Sequence, residues 1–197
     1  MNNIAETAKI YPNVTLGKNV TIEDFCIIGT PARGQAPGEV ETVIGDNAVI
    51  RSHTIIYAGN KIGDNFQTGN KVNIRELNEI GDNVSIGTLS VIEHHVKIEK
   101  GSRIHTQVFI PEYSTLHEES WIGPNVVFTN AKYPKTPDAK NNLIGPTIKE
   151  GARVGANSTL LPGVVIGKNS LVGAGSVVTK NIEDNKTAIG NPARVIN

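Results

Sequence analysis

Every sixth residue over most of this chain is a bulky aliphatic, and that interval restricts the fold more than any other feature. Counting from Ile44 gives Ile50, Ile56, Ile62, Thr68, Ile74, Ile80, Ile86, Ile92, Ile98, Ile104, Ile110, Leu116, Ile122 and Phe128. Only Thr68 is polar, in a chain that is 38% hydrophobic. Chance would produce such a run about once in a hundred thousand trials, so the period is real. The same interval runs through Ile4, Ile10, Leu16, Ile22 and Ile28, and resumes at Ile148, Val154, Leu160, Ile166, Val172 and Val178. Six residues fit neither the helical nor the simple strand repeat. They fit a short strand and a tight turn, repeated, with the marked residue pointing inward. The residue four later enters a crowded corner, and Gly or Asn takes the turn conformations. The pattern predicts an all-β solenoid, a parallel β-helix of hexapeptides. An aromatic content of 5% suits its narrow interior.

Composition removes several classes of partner. Lys plus Arg and Asp plus Glu each number 19, so the formal net charge is zero. Nucleic acid and anionic membrane therefore have no electrostatic support as partners. The single cysteine, Cys26, excludes a disulfide framework and a Cys-based zinc site. It falls in the inward small-residue slot of its hexad, where an inert buried thiol is expected. The opening "MNNIAETAKIYPNV" has no basic segment leading into an apolar core, and no apolar run is long enough to span a bilayer. A cytoplasmic location is the expectation.

Three stretches carry a family resemblance: "IGPNVVFTN" (122–130), "VGANSTLLPGVVIGKNSLVGAGSVVTK" (154–180) and "GNPARVI" (190–196). In these the chain resembles the hexapeptide-repeat acyltransferases, most of all those that N-acetylate amino groups on nucleotide-linked sugars. The resemblance implies a left-handed parallel β-helix with three hexads per coil, an exception to the right-handed crossover rule. It also implies acetyl-CoA as acyl donor and co-substrate, no metal, and a homotrimer with sites in the grooves between protomers. One β-helix domain over 1–197 is expected, with loop insertions at 30–43 and 129–146 and a C-terminal tail at 181–197. The insertions read as loops from "TPARGQAPGEVET" and "TNAKYPKTPDAKNNLIGP", both rich in Pro, Gly, Asn and Lys. Long excursions from a regular solenoid are commonly functional, and loop 129–146 is expected to reach toward a neighbouring protomer.

At eighteen residues per coil, residues eighteen apart stack about 4.8 Å from one another. Both loops then leave the corner after the face that contains Ile28, Ile56, Ile74, Ile92, Ile110 and Phe128. Two positions past those residues the column reads Ala58, Glu76, His94, Glu112, Asn130, with His94 between two carboxylates. His95 falls beside Leu77 and Tyr113, and His117 beside Glu99. His105 stacks with Gly69, Gly87 and Gly123, an arrangement expected to leave open space around its ring. Trp121 precedes an inward Ile and should face outward. His53 and His95 read as solvated turn residues.

In acetyltransferases of this family that act on simple sugars, a loop histidine before a proline commonly serves as base. Here the matching place reads "KYP", with Tyr133 before Pro134, so that mechanism does not carry over. The candidate base is instead His105 or His94, with Glu112 orienting. Imidazole suits this task because its pKa lies near neutrality, and an amine must be neutral to attack a thioester. The resemblance places Gly155, Ala156, Gly173 and Ala174 along the coenzyme arm and Lys180 and Arg194 at its phosphates. Asn130, Arg75, Thr106 and Gln107 are candidate acceptor contacts. The expected reaction is acetyl transfer from acetyl-CoA to the amino group of a nucleotide-linked amino sugar in surface-polysaccharide biosynthesis.

Three rivals stand beside this reading. O-acetylation of a sugar or of serine asks more of a base, since a hydroxyl is harder to deprotonate. A γ-class carbonic-anhydrase-like metalloenzyme needs three ligands converging on zinc at about 2.0–2.1 Å. His94, His105 and His117 fall on different faces, so only an intersubunit site would serve. A non-catalytic β-helix protein would leave the coenzyme unbound.

Overall fold

The computed structural model describes residues 1–196; Asn197, the last residue of the expected tail, lies outside the described residues. The chain winds as a parallel β-solenoid of about ten turns, in agreement with the left-handed β-helix that the resemblance implies. Its short strands stack into three sheets of eleven, nine and eight strands. We call these the first, second and third faces, in the order the chain visits them from Asn3–Ile4, Lys9–Ile10 and Val14–Leu16.

The hexad period produces this stacking. Parallel pairing aligns Ile74 with Ile56 and Ile92, and Ile92 with Ile110, each a coil of eighteen residues apart. The marked residues from Ile44 through Phe128 are all buried, and the set from Ile148 to Val178 is buried with them. Burying each such side chain stabilises the fold by about 1.5–3 kcal/mol before entropy is counted. Four positions on, the second inward column holds mostly small residues, including Ser90, Ser102, Ser120 and Cys26. Phe66 departs from the small-residue rule and is fully buried. The hydroxyls are hydrogen-bonded, as in Ser120 Oγ to Ser102 Oγ at 3.0 Å.

Each corner turns through one residue at positive φ. On the corner from the third face to the first, Asn47, Asn65 and Asn83 take that conformation, and their amides form a ladder with spacings of 3.2 and 3.1 Å. Asn tolerates the left-handed region better than most residues. On the corner from the second face to the third the same position is held by Leu77, His95 and Tyr113.

Both insertions leave that second-to-third corner, as expected. Strand Ile27–Thr30 runs one residue into the expected 30–43 loop, and Thr42–Ile44 begins before its end, so the loop proper is 31–41. Thr42 is drawn into the sheet because its N–H bonds Asn13 O at 3.0 Å and its hydroxyl accepts Gly59 N–H at 3.2 Å. The 129–146 excursion contains a short 3-10 helix, Ala139–Asn142, with no buried residue. Its neck is closed by Ile144 N–H to Asn130 O at 2.9 Å. The expected tail is partly a continuation of the solenoid. Ile182 bridges Ile166, Thr187–Ile189 joins the first face beside Leu171–Val172, and Arg194–Val195 folds back antiparallel. Among the described residues no helix is long and apolar enough to cross a membrane.

Candidate functional site

The second-to-third corner gathers a linked set of ionisable side chains. Because Ile74, Ile92 and Ile110 are in register, the residues two positions on, Glu76, His94 and Glu112, form one column. His94 Nε2 lies 3.6 Å from Glu112 Oε1, an ion-pair distance longer than a good hydrogen bond. Glu112 Oε2 in turn accepts from Asn130 Nδ2 at 2.7 Å, so the loop root holds the carboxylate beneath the imidazole. Continuing past the loop, pairing of Phe128 with Leu160 and of Leu160 with Val178 puts Pro162 and Lys180 in the same column. Lys180, expected at a coenzyme phosphate, is exposed there.

One position earlier runs a second column. Arg75 Nε donates to Glu76 Oε2 at 2.9 Å and Arg75 Nη1 reaches Glu93 Oε2 at 3.4 Å. The guanidinium lies 5.1 Å from the centroid of the Tyr57 ring. Arg75 and Asn130, both candidate acceptor contacts, are thus already engaged within the chain. Burial pushes the Glu76 carboxyl up, but hydrogen bonds from Arg75 and a backbone N–H, with the Arg75 and His94 charges, hold it below the usual range. Glu93 ends above that range, through burial first and then the nearby Glu112 and Glu76, with Arg75 and His94 opposing.

His95, expected as a solvated turn residue, is exposed but not isolated. Its Nδ1 lies 2.7 Å from His94 Nδ1, and its ring packs 5.7 Å from that of Tyr113. Sequence reasoning placed Tyr113 beside His95 but gave no signal for the contact between the two imidazoles, which depends on side-chain rotation. Glu93 was overlooked, although the eighteen-residue count would have put it beside Arg75.

His105 sits on the corner from the first face to the second. Its column continues through Gly123, Gly155 and Gly173, so it shares an edge with the expected donor ladder. The open space anticipated around it is taken by Trp121, whose ring lies 4.7 Å away. Trp121 is therefore only partly outward-facing. His105 Nε2 is buried and has no hydrogen-bond partner among the described residues. Burial, helped by the Arg103 charge, pulls its pKa down. Thr106 and Gln107 follow it, exposed. A shallow groove of about 260 Å³ runs from Gln67 and Ser85 past Arg103 to His105 and Thr106.

The Gly–Ala ladder has a packing cause of its own. A Cβ on Gly155 would lie 2.5 Å from the backbone nitrogen of Ala174, and one on Gly173 would lie 2.5 Å from Ile189 Cγ2. Ala156 and Ala174 lie at the corner, half-buried and exposed respectively. Arg194 is exposed on the terminal hairpin and donates to Ala193 O at 3.0 Å.

The remaining histidines lie elsewhere. His117 Nδ1 is 3.0 Å from Glu99 Oε2, a carboxylate also held by Lys97. His53 stacks on Phe25 at 5.0 Å. One chain therefore does not converge His94, His105 and His117. Among the described residues there is no group of three or more His, Cys, Asp or Glu placed to hold a metal ion.

A family model described as bacterial transferase hexapeptide (six repeats) matches residues 79–112 and 145–180. These residues carry the hexapeptide repeat that the family model describes. The hexapeptide-repeat chain is 30% identical over 187 residues to the bifunctional protein GlmU of Clostridioides difficile, covering 95% of itself and 37% of that protein. It is 31% identical over 108 residues to an acyl-[acyl-carrier-protein]–UDP-N-acetylglucosamine O-acyltransferase of Rickettsia canadensis, covering 52% of itself and 37% of the relative. The chain thus spans little more than a third of the length of these two curated relatives. A solved UDP-N-acetylglucosamine acyltransferase from Campylobacter jejuni superposes with a TM-score of 0.63 at 16% identity, over 98% of this chain and 73% of that one. At that identity the likeness establishes the shared fold.

Proposed function

We propose that this hexapeptide-repeat protein moves an acyl group from a thioester to a nucleotide-linked sugar, with acetyl-CoA as donor and an amino group as acceptor. The observation that carries the reading is His94 held over Glu112, itself tied to Asn130 at the root of the long loop. A histidine backed by a carboxylate is suited to removing a proton from a nucleophile near neutral pH. The O-acyltransferase relative, whose name specifies a nucleotide-linked sugar, supports the acceptor class. The donor would lie along the corner that carries Gly155, Ala156, Gly173 and Ala174, where its amides meet backbone N–H and C=O groups. Lys180 and Arg194 would meet its phosphates. His105 shares that corner, packed against Trp121. Because the His94 and His105 corners lie apart on one prism, the site would be completed between protomers of a homotrimer.

In the reaction, the neutral amine adds to the thioester carbonyl, its proton passes to a histidine of the second-to-third corner, and a backbone N–H of the donor corner steadies the oxyanion. A second reading, transfer to a hydroxyl, is favoured by one specific observation. The His94–Glu112 pair supports an imidazole base at this corner, which a hydroxyl acceptor needs more than an amine does. The test is a turnover screen of the full chain with acetyl-CoA against nucleotide-linked amino sugars and their hydroxyl counterparts. An amide product resists neutral hydroxylamine and supports the amine reading; a product cleaved by it supports the hydroxyl reading. Absence of product from every pair, with no binding of coenzyme A by calorimetry, would overturn acyl transfer.

A further inference from the structure

We propose that His95 is the residue that accepts the acceptor's proton, at the outer end of a Glu112–His94–His95 relay. The proposal rests on the acyl-transfer reading above and adds a residue to it. Each nitrogen of His94 faces one group: Nε2 faces Glu112 Oε1 at 3.6 Å, an ion-pair distance, and Nδ1 faces His95 Nδ1 at 2.7 Å. The Nδ1–Nδ1 contact requires a proton on one of the two nitrogens and a lone pair on the other. Glu112 decides which. A lone pair on His94 Nε2 would point at a carboxylate, so Nε2 carries the hydrogen and Nδ1 of His94 accepts. His95 Nδ1 must then be the donor, which leaves its Nε2 as the lone pair.

That lone pair belongs to an exposed residue and has no hydrogen-bond partner among the described residues. The other candidates are less available. His105 Nε2 is enclosed, and His117 is paired with Glu99. The groups around the pair favour a positive charge arriving there. Glu76 lies on the coil before, Glu93 on the same hexad and Glu112 on the coil after, with Arg75 the one cation among them and Tyr113 neutral against the ring. His95 also occupies a corner position with φ of 56°, where the third-to-first corner uses Asn. The position therefore does not require an imidazole for its backbone conformation.

The step balances as follows. The acceptor nitrogen bonds the thioester carbonyl carbon and gives its proton to His95 Nε2. The tetrahedral carbon then expels the thiolate as the C–S bond breaks, and His95 returns the proton to sulfur. His94 holds His95 in the reactive tautomer and shares the transient charge with Glu112.

The experiment has two arms on the full chain. Two-bond 1H–15N correlation spectra read the tautomers without substrate. His95 as the Nδ1–H form and His94 as the Nε2–H form are expected, with His95 reverting to the commoner Nε2–H form in His94→Ala. His95 observed mainly as Nε2–H in the wild type would overturn the relay. The second arm measures acetyl-CoA turnover in His95→Asn, a residue that favours this backbone conformation, and in His95→Gln. A fall in kcat of about a hundredfold in both, with KM within threefold and loss of the acidic limb of the pH–kcat profile, supports the proposal. Wild-type kcat in His95→Asn would overturn the role of His95 and leave acyl transfer standing. No wild-type turnover with any acceptor would overturn both the acyl-transfer reading and the role of His95 in it.

Discussion

Asn130 gives a hydrogen bond of 2.7 Å to Glu112 across one coil, so the first turn of the long loop and the carboxylate below His94 are one unit. The position of the loop is thereby linked to the charge that faces the imidazole. Asn130→Ala removes a charge-assisted donor at a partly exposed site. It should cost about 1 kcal/mol of stability by urea unfolding. The larger effect should fall on turnover, with kcat about tenfold lower once Glu112 swings free. Equal losses in stability and activity would mean that Asn130 only braces the fold.

Arg75 holds Glu76 below the usual carboxylate range and offsets part of the burial of Glu93. A carboxyl lowered in the folded state contributes stability that is present above its unfolded pKa and lost as pH falls through the folded value. Arg75→Met should therefore destabilise the protein by about 2 kcal/mol at pH 7 and by much less at pH 3. Unfolding curves at the two pH values give the comparison. A loss independent of pH would point to lost packing against Tyr57.

His105 has the opposite chemistry but the same direction with pH. Burial and Arg103 lower its pKa, so the unfolded chain binds the proton more readily. Stability from this group is complete above the unfolded value of about 6.5 and declines as pH drops through the folded one. His105→Gln should flatten the stability profile on the acid side of about pH 6.5. Arg103→Gln should flatten it partly. An unchanged slope in both variants would show that other groups govern this window.

Gly155 tests whether its ladder is needed by the fold or only by a ligand. A Cβ there would meet the backbone nitrogen of Ala174 at 2.5 Å, and backbone on the next coil has little room to shift. Gly155→Ala should lower stability by about 3 kcal/mol with no coenzyme present. Normal stability with weakened coenzyme binding would reverse this account.

The columns were legible because a parallel register of eighteen residues follows from the hexad count, and Glu76, His94 and Glu112 could be stacked before any coordinates. Lys180 could have joined them had the count been carried across the fourteen extra loop residues. Three features were not legible, each for a local reason. The contact of His95 with His94 depends on two ring rotations at a corner, which the period does not encode. Trp121 packs 4.7 Å from His105, ring to ring, a contact set by side-chain rotation that the period does not encode. The tail reads as irregular because its hexads are broken, yet Ile182 and Thr187–Ile189 regain the register through backbone pairing.

The neck of the long loop has a consequence for the coil register. Asn130 and Ile144 close it with a single backbone hydrogen bond, and the strands on either side, Val127–Phe128 and Thr147–Ile148, pair with their neighbours as though nothing intervened. Residues 131–143 are thus an appendix that can be lengthened, shortened or rewritten without a shift in any coil. A change of length in this one segment would leave the coil register, and with it the Glu76–His94–Glu112 column, where it stands.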